Sequence, residues 1–365
     1  FYKQYYSANL MTLAVVGRDD LDTLESWVTD LFSVVGNSDV PPPETAWAGK
    51  VPVLSDNAAK RVVNAVPISD DRFIQLNWLL PFASEADRQM KLRGKPEFVA
   101  CFLLGYEGKG SLVSYLKDLG LIEGLGAAIA EQTSDCQILE ISVDITERGL
   151  AQRDDVIEAI FSYINMVKNE GVPPYILEEA EAMSTVSWSF RENSEPAEVA
   201  STFASNMQEY PPELYLSGPA RLRGLNGKDV PDIYAKLTPE TALVSVVSQG
   251  FASAAKDTEK WYKTRYFTET LPASVLKRWD AAPRIPGITF PSPNALIPSD
   301  LSIKAPAIED QSVFPEGPTL ICDEPKWRVH YKQDRRYGQP KGYAYFNIKM
   351  PRTLFGADAT ARTSA

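Results

Sequence analysis

Histidine is almost missing from this sequence, in which His330 is the single one among 365 residues. A pair of histidine ligands for a metal ion therefore cannot form within the chain. We interpret His330 as a polar residue at the edge of a connecting segment. The residues present thus include no candidate metal site.

Cysteine is scarce as well. Cys101, Cys136 and Cys322 are odd in number and widely spaced, which excludes a disulfide framework and a CxxC metal knuckle. A reducing compartment is the simplest interpretation, and the three thiols are predicted to be small core residues rather than nucleophiles.

Long apolar runs and basic clusters are also missing. No stretch approaches the roughly 18 apolar residues of a membrane span. The net charge is −11 and no block of Lys or Arg offsets it, which argues against a general nucleic-acid binder. We therefore expect neither a membrane nor a nucleic acid as partner. The absence of a targeting signal and the small number of cysteines predict a cytoplasmic location.

The beginning of the chain predicts an internal start. It opens on Phe1 rather than Met and shows no signal peptide, although a truncated start could have removed a targeting segment. The run 10–16 predicts a buried strand, and Asp19 or Asp20 can cap the amphipathic helix that follows. We expect the packing partner of residues 5–33 to lie outside this chain.

Apolar periodicity predicts further strands and helices. "RFIQLNWLLPF" predicts a strand that stops at Pro81, and "QILEISVDIT" and "ALVSVVSQG" predict two more. Helices are predicted at 96–104, after a Ser111 cap, through "DDVIEAIFSYINMVKNEG" and after Pro173. Residues 271–341 are rich in proline and lack periodicity, which predicts a long connector.

Two pairs of similar segments indicate internal repeats in the chain. "LMTLAVVG" begins at Leu10 and "LVSVVSQG" at Leu243, while "FIQLNWLLP" begins at Phe73 and "YAYFNIKMP" at Tyr343. Together they suggest homologous domains. We predict the remnant of a first domain at 1–47, a complete second domain at 48–270, the connector at 271–341, and the truncated opening strand of a third domain at 342–365.

Other short motifs predict structure rather than chemistry. "GYEGKGS" resembles a phosphate loop, but no Lys directly precedes Ser111, so the Walker arrangement is not met and a tight helix entry is favoured. "EEAEA" spreads its carboxylates around a helix without a histidine partner. A solvated helix face is the simpler interpretation.

Four blocks of the sequence, in matching order, resemble the insulinase (pitrilysin-like, inverzincin) family of zinc metallopeptidases: "FYKQYYSANLMTLAVVGRDDLDTLESWVTDLFS", "YEGKGSLVSYLKDLG", "TEKWYKTRYFTETLP" and "VHYKQDRRYGQPKGYAYFNIKMP". The resemblance covers nearly the whole chain. It implies an α+β fold with an antiparallel-rich mixed sheet packed by helices, flanked by partial domains. It also implies a two-lobed peptidase with two homologous domains in each lobe.

The family's zinc motif is H-x-x-E-H, whose two His are ligands, whose Glu is the general base, and to which a downstream Glu adds the third ligand. For His330 to end this motif, Lys326 and Val329 would have to be His and Glu. The resemblance places the motif upstream of Phe1. We therefore predict the non-catalytic central segment of a zinc metalloendopeptidase that degrades peptides, with zinc as the family's cofactor and none bound by this chain.

Two alternatives stay open. The chain could be a non-catalytic homologue that acts as a peptide-binding or structural subunit. The resemblance also implies an exosite, an exposed edge strand that binds the amino-terminal end of a substrate by strand addition, and an ordinary strand after a helix is the alternative there. Its matching residues are Leu125, Gly126, Ala127, Ala128 and Ile129. The predicted partners are peptide substrates and the remaining domains of the same protein, with a homo-oligomer left open.

Overall fold

The computed structural model describes residues 1–43, 59–192, 194–303, 317–332 and 338–349. The chain divides into two compact units, Phe1–Ile297 and Pro298–Ala365. The first unit contains a large sheet with packed helices, and the second contains a two-stranded hairpin.

Seven strands form the sheet of the first unit: β1 Arg61–Ala65, β2 Phe73–Pro81, β3 Ile122–Gln132, β4 Cys136–Ile145, β5 Leu243–Val247, β6 Asp257–Thr258 and β7 Arg265–Thr270. Their order across the sheet is β3-β4-β2-β5-β1-β7-β6. All neighbours are antiparallel except β1 and β5, which run parallel. The predicted α+β class with an antiparallel-rich mixed sheet is confirmed.

The helices of this unit are α1 Tyr2–Tyr5, α2 Leu21–Phe32, α3 Glu85–Gly94, α4 Pro96–Gly105, α5 Leu112–Asp118, α6 Glu147–Ala151, α7 Arg153–Glu170, α8 Pro174–Ser189, α9 Pro196–Glu209, α10 Asp229–Lys236 and α11 Ala273–Asp280. Helices α4 and α5 lie against β3, and α10 contacts β2. A second tier forms where α7 packs against α5, α10 and α11.

Helices cover one face of the sheet and leave the other open. Along β2, Ile74, Leu76, Trp78 and Leu80 are buried, while the residues between them are partly exposed. This alternation has the period of two that places successive side chains on opposite faces of a strand. An antiparallel sheet with one packed and one solvated face is the result.

Three aromatic rings join the sheet to the second helical tier. Trp78 of β2 meets Phe161 of α7 edge to face, with ring centroids 6.1 Å apart, and Phe161 stacks on Trp279 of α11 at 5.9 Å. Each indole N–H donates to a backbone carbonyl, Trp78 to Thr238 at 2.9 Å and Trp279 to Asp154 at 3.2 Å. The rings are thus buried without an unsatisfied donor.

Helix α11 lies inside the segment that the sequence predicts to be a connector. Leu276 and Trp279 are buried in the core of the first unit, so this part of the segment is packed. The prolines on either side conceal a helix of eight residues from a search for periodicity. The predicted domain boundaries themselves remain a prediction.

Local capping follows the sequence closely. The Asp20 carboxylate accepts from the Thr23 N–H at 2.9 Å and begins α2, and the Ser111 hydroxyl accepts from the Ser114 N–H at 3.0 Å and begins α5. The Ser111 cap was predicted, and of the two predicted candidates for α2, Asp19 and Asp20, Asp20 is the cap. A short polar side chain before an apolar repeat satisfies an otherwise unpaired helix N–H.

The predicted strand at 10–16 is wrong in this structure. Leu10 ends a short 3₁₀ helix and residues 11–17 have no regular structure, with Leu13 and Val15 close to half exposed. A strand forms only beside a hydrogen-bonding neighbour, and none of the strands in the described part lies beside this run. The run 11–17 contacts α9 instead, where the Thr12 hydroxyl donates to the carbonyl of Ala204 at 2.7 Å.

The second unit contains the hairpin of β8 Thr319–Glu324 and β9 Trp327–Tyr331. His330 lies on β9 opposite Leu320 and is exposed. Residues 342–349, part of the predicted opening strand of a third domain, form no strand in the structure, and 350–365 lie outside the described residues.

Candidate functional site: a peptide-binding sheet edge

The five predicted exosite residues lie together in the middle of β3. This strand is at one end of the sheet and pairs with β4 alone, so no strand in the described part of the chain pairs with its outer side. An edge strand presents a row of unpaired N–H and C=O groups that a further extended chain can use.

The side chains of these residues point to alternate faces. Leu125 is buried, and Ala127 and Ile129 pack against the core on the helix side. Gly126 and Ala128 are exposed on the open side. The open side of this edge therefore has almost no side-chain bulk.

Two irregularities limit the regularly paired part of the strand. The register with β4 shifts between Ile122 and Gly124 and again between Ile129 and Glu131. Between these shifts, residues 124–129 pair with consecutive residues of β4. A bulge twists an edge strand and interrupts pairing, so this six-residue segment is the part of the edge most suited to accept another strand.

The open face beside this edge is acidic. On β4, Glu140 lies opposite Ala128, Ser142 opposite Gly126, and Asp144 opposite Gly124. The sequences of β2, β3 and β4 contain no Lys, Arg or His, but they contain the four carboxylates of Glu123, Glu131, Glu140 and Asp144.

Helix α4 supports β3 from behind at short range. A methyl group added to Gly105 at the end of α4 would lie 3.6 Å from the Ala127 nitrogen and 3.8 Å from the Gly126 α-carbon. Backbone therefore packs directly on backbone at this point, which fixes the position of the edge segment relative to the core.

Two ionisable side chains, partly buried Lys95 and buried Glu97, lie at the start of α4. Lys95 adopts a left-handed conformation (φ 49°) between α3 and α4, and its ammonium donates to the carbonyls of Leu92 at 2.9 Å, Arg221 at 3.0 Å and Gly218. Burial lowers the pKa of Lys95 to about 8 and raises the pKa of the neighbouring Glu97 carboxyl. The contacts of Lys95 join the start of α4 to the 218–221 segment.

The described residues do not fit a zinc site. No group of three or more His, Cys, Asp or Glu side chains within the described ranges is placed to bind a metal ion. His330, on its exposed hairpin, cannot supply the two histidines that the family's motif needs.

Sequence reasoning located the edge segment but missed its acidic neighbours. Glu140 and Asp144 lie within "QILEISVDIT", which reads simply as a strand. Their position beside Ala128 and Gly124 follows from the pairing register, and the sequence does not reveal that register.

Among the helices of the described residues, none is long and apolar enough to span a bilayer.

Comparison with known proteins matches two consecutive stretches of the chain, which together cover almost all of it, to domains of one family. Residues 1–183 match the model of the peptidase M16 inactive domain, and residues 188–364 match the model of the middle or third domain of peptidase M16.

Full-length relatives agree with this assignment. The A-factor-processing enzyme of Saccharomyces cerevisiae is 30% identical over 97% of this chain, and the human insulin-degrading enzyme is 31% identical over 96%. The chain spans 33% of each of these two proteins. The crystal structure of pitrilysin superposes with a TM-score of 0.76 at 25% identity, over 92% of this chain and 34% of that one. The chain therefore belongs to the insulinase, or peptidase M16, family.

Proposed function

We propose that this chain is the central, non-catalytic segment of a zinc metalloendopeptidase that degrades peptides. In this proposal the zinc motif lies in residues outside the chain, and the segment forms part of the wall of the substrate chamber. Its own contribution is to bind the substrate peptide along β3. The alternative is that the parent protein is a non-catalytic homologue that acts as a peptide-binding or structural subunit.

The observation that carries the proposal is the unpaired edge of β3. Residues 124–129 combine uninterrupted pairing with β4, an outer side without a strand partner in the described part of the chain, and small side chains at Gly126 and Ala128. A peptide added as a new strand is bound through main-chain hydrogen bonds, which do not depend on its side chains. This mode of binding suits a peptidase that accepts many sequences.

A second surface supports the expected contact with other domains of the same protein. Helix α2 is amphipathic, yet none of its residues is buried within the described structure, and Leu21, Trp27 and Leu31 are half exposed or more. An apolar helix face of this kind favours another protein surface over water.

The coding sequence upstream of the Phe1 codon tests the catalytic part of the proposal. We expect an in-frame H-x-x-E-H with a Glu downstream, and zinc-dependent peptide hydrolysis by the protein expressed with that sequence. A homologous upstream domain whose motif lacks a His or the Glu would support the alternative and contradict the proposed peptidase activity.

Backbone-methylated peptides test the strand addition. One version of an extended peptide carries N-methyl groups on alternate residues, and the other carries them on every residue. Strand addition predicts that the first version retains binding, since it keeps the N–H groups of one edge, and that the second loses it, since neither edge can donate to β3. Equal binding of the two versions would contradict it.

A further inference from the structure

We infer that the edge of β3 prefers extended peptides that carry two basic residues four positions apart. This inference rests on the proposed strand addition and adds the charge and spacing of the peptide segment. It is derived from the rows of side chains that cross the open face from β3 to β2.

Three rows cross this face. The first contains Ala128, Glu140 of β4 and Asn77 of β2, and the second contains Gly126, Ser142 and Gln75. The third contains Gly124, Asp144 and Phe73. A peptide strand added beside β3 would place every second side chain at the beginning of one of these rows.

The carboxylates are within reach of such a peptide because little stands between them. Neighbouring strands are about 4.8 Å apart, so an added strand lies about 10 Å from β4. On β3 itself, the first row contains only the methyl group of Ala128, and the third row contains no side chain because its β3 residue is Gly124. A methyl group on Gly126 in the middle row would touch nothing within 4 Å. A long Lys or Arg side chain can therefore lie across β3 toward Glu140 or Asp144.

Neither carboxylate is neutralised by another side chain of the described residues. Within the described ranges, no ion pair involves Glu140 or Asp144. The nearest cation in sequence is Arg148, four residues after Asp144. Arg72 directly precedes Phe73, the residue opposite Asp144, and its guanidinium is 3.6 Å from the Glu147 carboxylate. Two fixed negative charges thus face the position that the peptide would take.

The spacing follows from the register. Ala128 and Gly124 are four residues apart on β3, about 13 Å along the strand, and so are Glu140 and Asp144 on β4. A peptide matches both carboxylates when its basic residues are at positions i and i+4. This match holds for parallel and antiparallel addition alike, because both keep the residue spacing.

Charge also argues for a basic peptide over a second copy of this chain. Pairing β3 with β3 of another molecule would bring two sets of carboxylates together on chains that each have a net charge of −11. Like charges placed across neighbouring strands destabilise their pairing.

The test compares three dye-labelled peptides of equal length by fluorescence anisotropy with the 365-residue chain. One has lysines at i and i+4 in a Thr/Val background, one has the same composition with lysines at i and i+5, and one has no lysine. An odd spacing places the two lysines on opposite faces of the strand. We expect the i,i+4 peptide to bind about two- to five-fold more tightly than the i,i+5 peptide at low salt. The advantage should vanish in about 1 M salt, where charges are screened within about 3 Å.

Variants identify the groups responsible. The double variant Glu140→Gln, Asp144→Asn should remove the preference for i,i+4 and leave binding of the lysine-free peptide unchanged. The control Glu178→Gln, Glu240→Gln removes two exposed carboxylates elsewhere and should keep the preference. Circular dichroism spectra would verify that each variant is folded.

The outcomes separate the inference from the proposed function. If all three peptides bind equally, or the preference survives Glu140→Gln, Asp144→Asn, the charge inference is wrong and strand addition stands. If none binds, both are wrong. A self-associated chain whose β3 is covered by another copy, detected by sedimentation, would contradict the choice of a basic peptide as occupant.

Discussion

The backbone N–H of Thr146 donates to the carbonyl of Leu121 at 3.1 Å and thereby ties the end of β4 to the residue that precedes β3. The Thr146 hydroxyl also accepts from the N–H of Gly149 at 3.0 Å and begins α6. This junction sets where the edge strand starts, and it leaves no space beside Gly149, where a methyl group would overlap the Leu121 carbonyl.

Gly149→Ala is therefore expected to lower the free energy of unfolding by about 1–3 kcal/mol, because backbone must shift to relieve the overlap. Urea denaturation followed by circular dichroism measures the change. Gly227→Ala is the matched control, since a methyl group there would meet nothing within 4 Å. Equal effects of the two substitutions would show that the junction is not tightly packed.

Phe161→Ala should destabilise the first unit by about 3–5 kcal/mol, because it removes the ring between Trp78 and Trp279 and leaves a cavity. Phe161→Leu retains most of the volume and should cost less. The fluorescence of the tryptophans should also change in both variants. If Phe161→Ala cost under about 1 kcal/mol, the aromatic contact would not be a main support of the core.

Lys95→Met leaves three backbone carbonyls, those of Leu92, Gly218 and Arg221, without their donor. We expect a loss of about 1–3 kcal/mol in the free energy of unfolding. Lys277→Met, which changes an exposed lysine on α11, should have little effect.

The same lysine predicts a pH dependence. Burial lowers the pKa of Lys95 from 10.5 to about 8 in the folded chain. Between these values the unfolded chain binds the additional proton, so the contribution of Lys95 to the free energy of unfolding rises from pH 8 toward pH 10.5 and is constant below pH 8. The stability difference between wild type and Lys95→Met should grow over this window. A stability difference that shrinks from pH 8 toward pH 10.5 would contradict this prediction.

Thiol reactivity should distinguish the cysteines. Burial raises the pKa of the Cys101 thiol to about 12, so little reactive thiolate exists at neutral pH. Cys136 is buried as well, whereas Cys322 is partly exposed. With an aromatic disulfide reagent we expect one fast-reacting thiol, lost in Cys322→Ser, and two that react only after denaturation. Fast reaction at Cys101 would contradict its buried position.

Local features were the most predictable from sequence. Asp20 and Ser111 cap their helices as expected, because a cap depends on a few neighbouring residues. The run 10–16 has the composition of a strand but forms none, since strand formation depends on a partner elsewhere. Helix α11 was missed because prolines surround it.

Of the candidate site, the edge segment could be predicted from sequence, but its acidic neighbours could not, because their position depends on strand pairing. Residues 125–129 could be located from the family resemblance. The open-face rows that join Ala128 to Glu140 and Gly124 to Asp144 depend on a register that two bulges displace, and a shift of one residue would move both carboxylates to the opposite face. Local sequence does not encode that register.

Amide hydrogen exchange with and without the i,i+4 lysine peptide tests whether β3 accepts a peptide as an added strand. Strand addition predicts that alternate amides within 124–129, those facing away from β4, exchange more slowly when the peptide is bound, while β4-facing amides change little. Slower exchange confined to other parts of the chain, such as α2, with residues 124–129 unchanged, would contradict it.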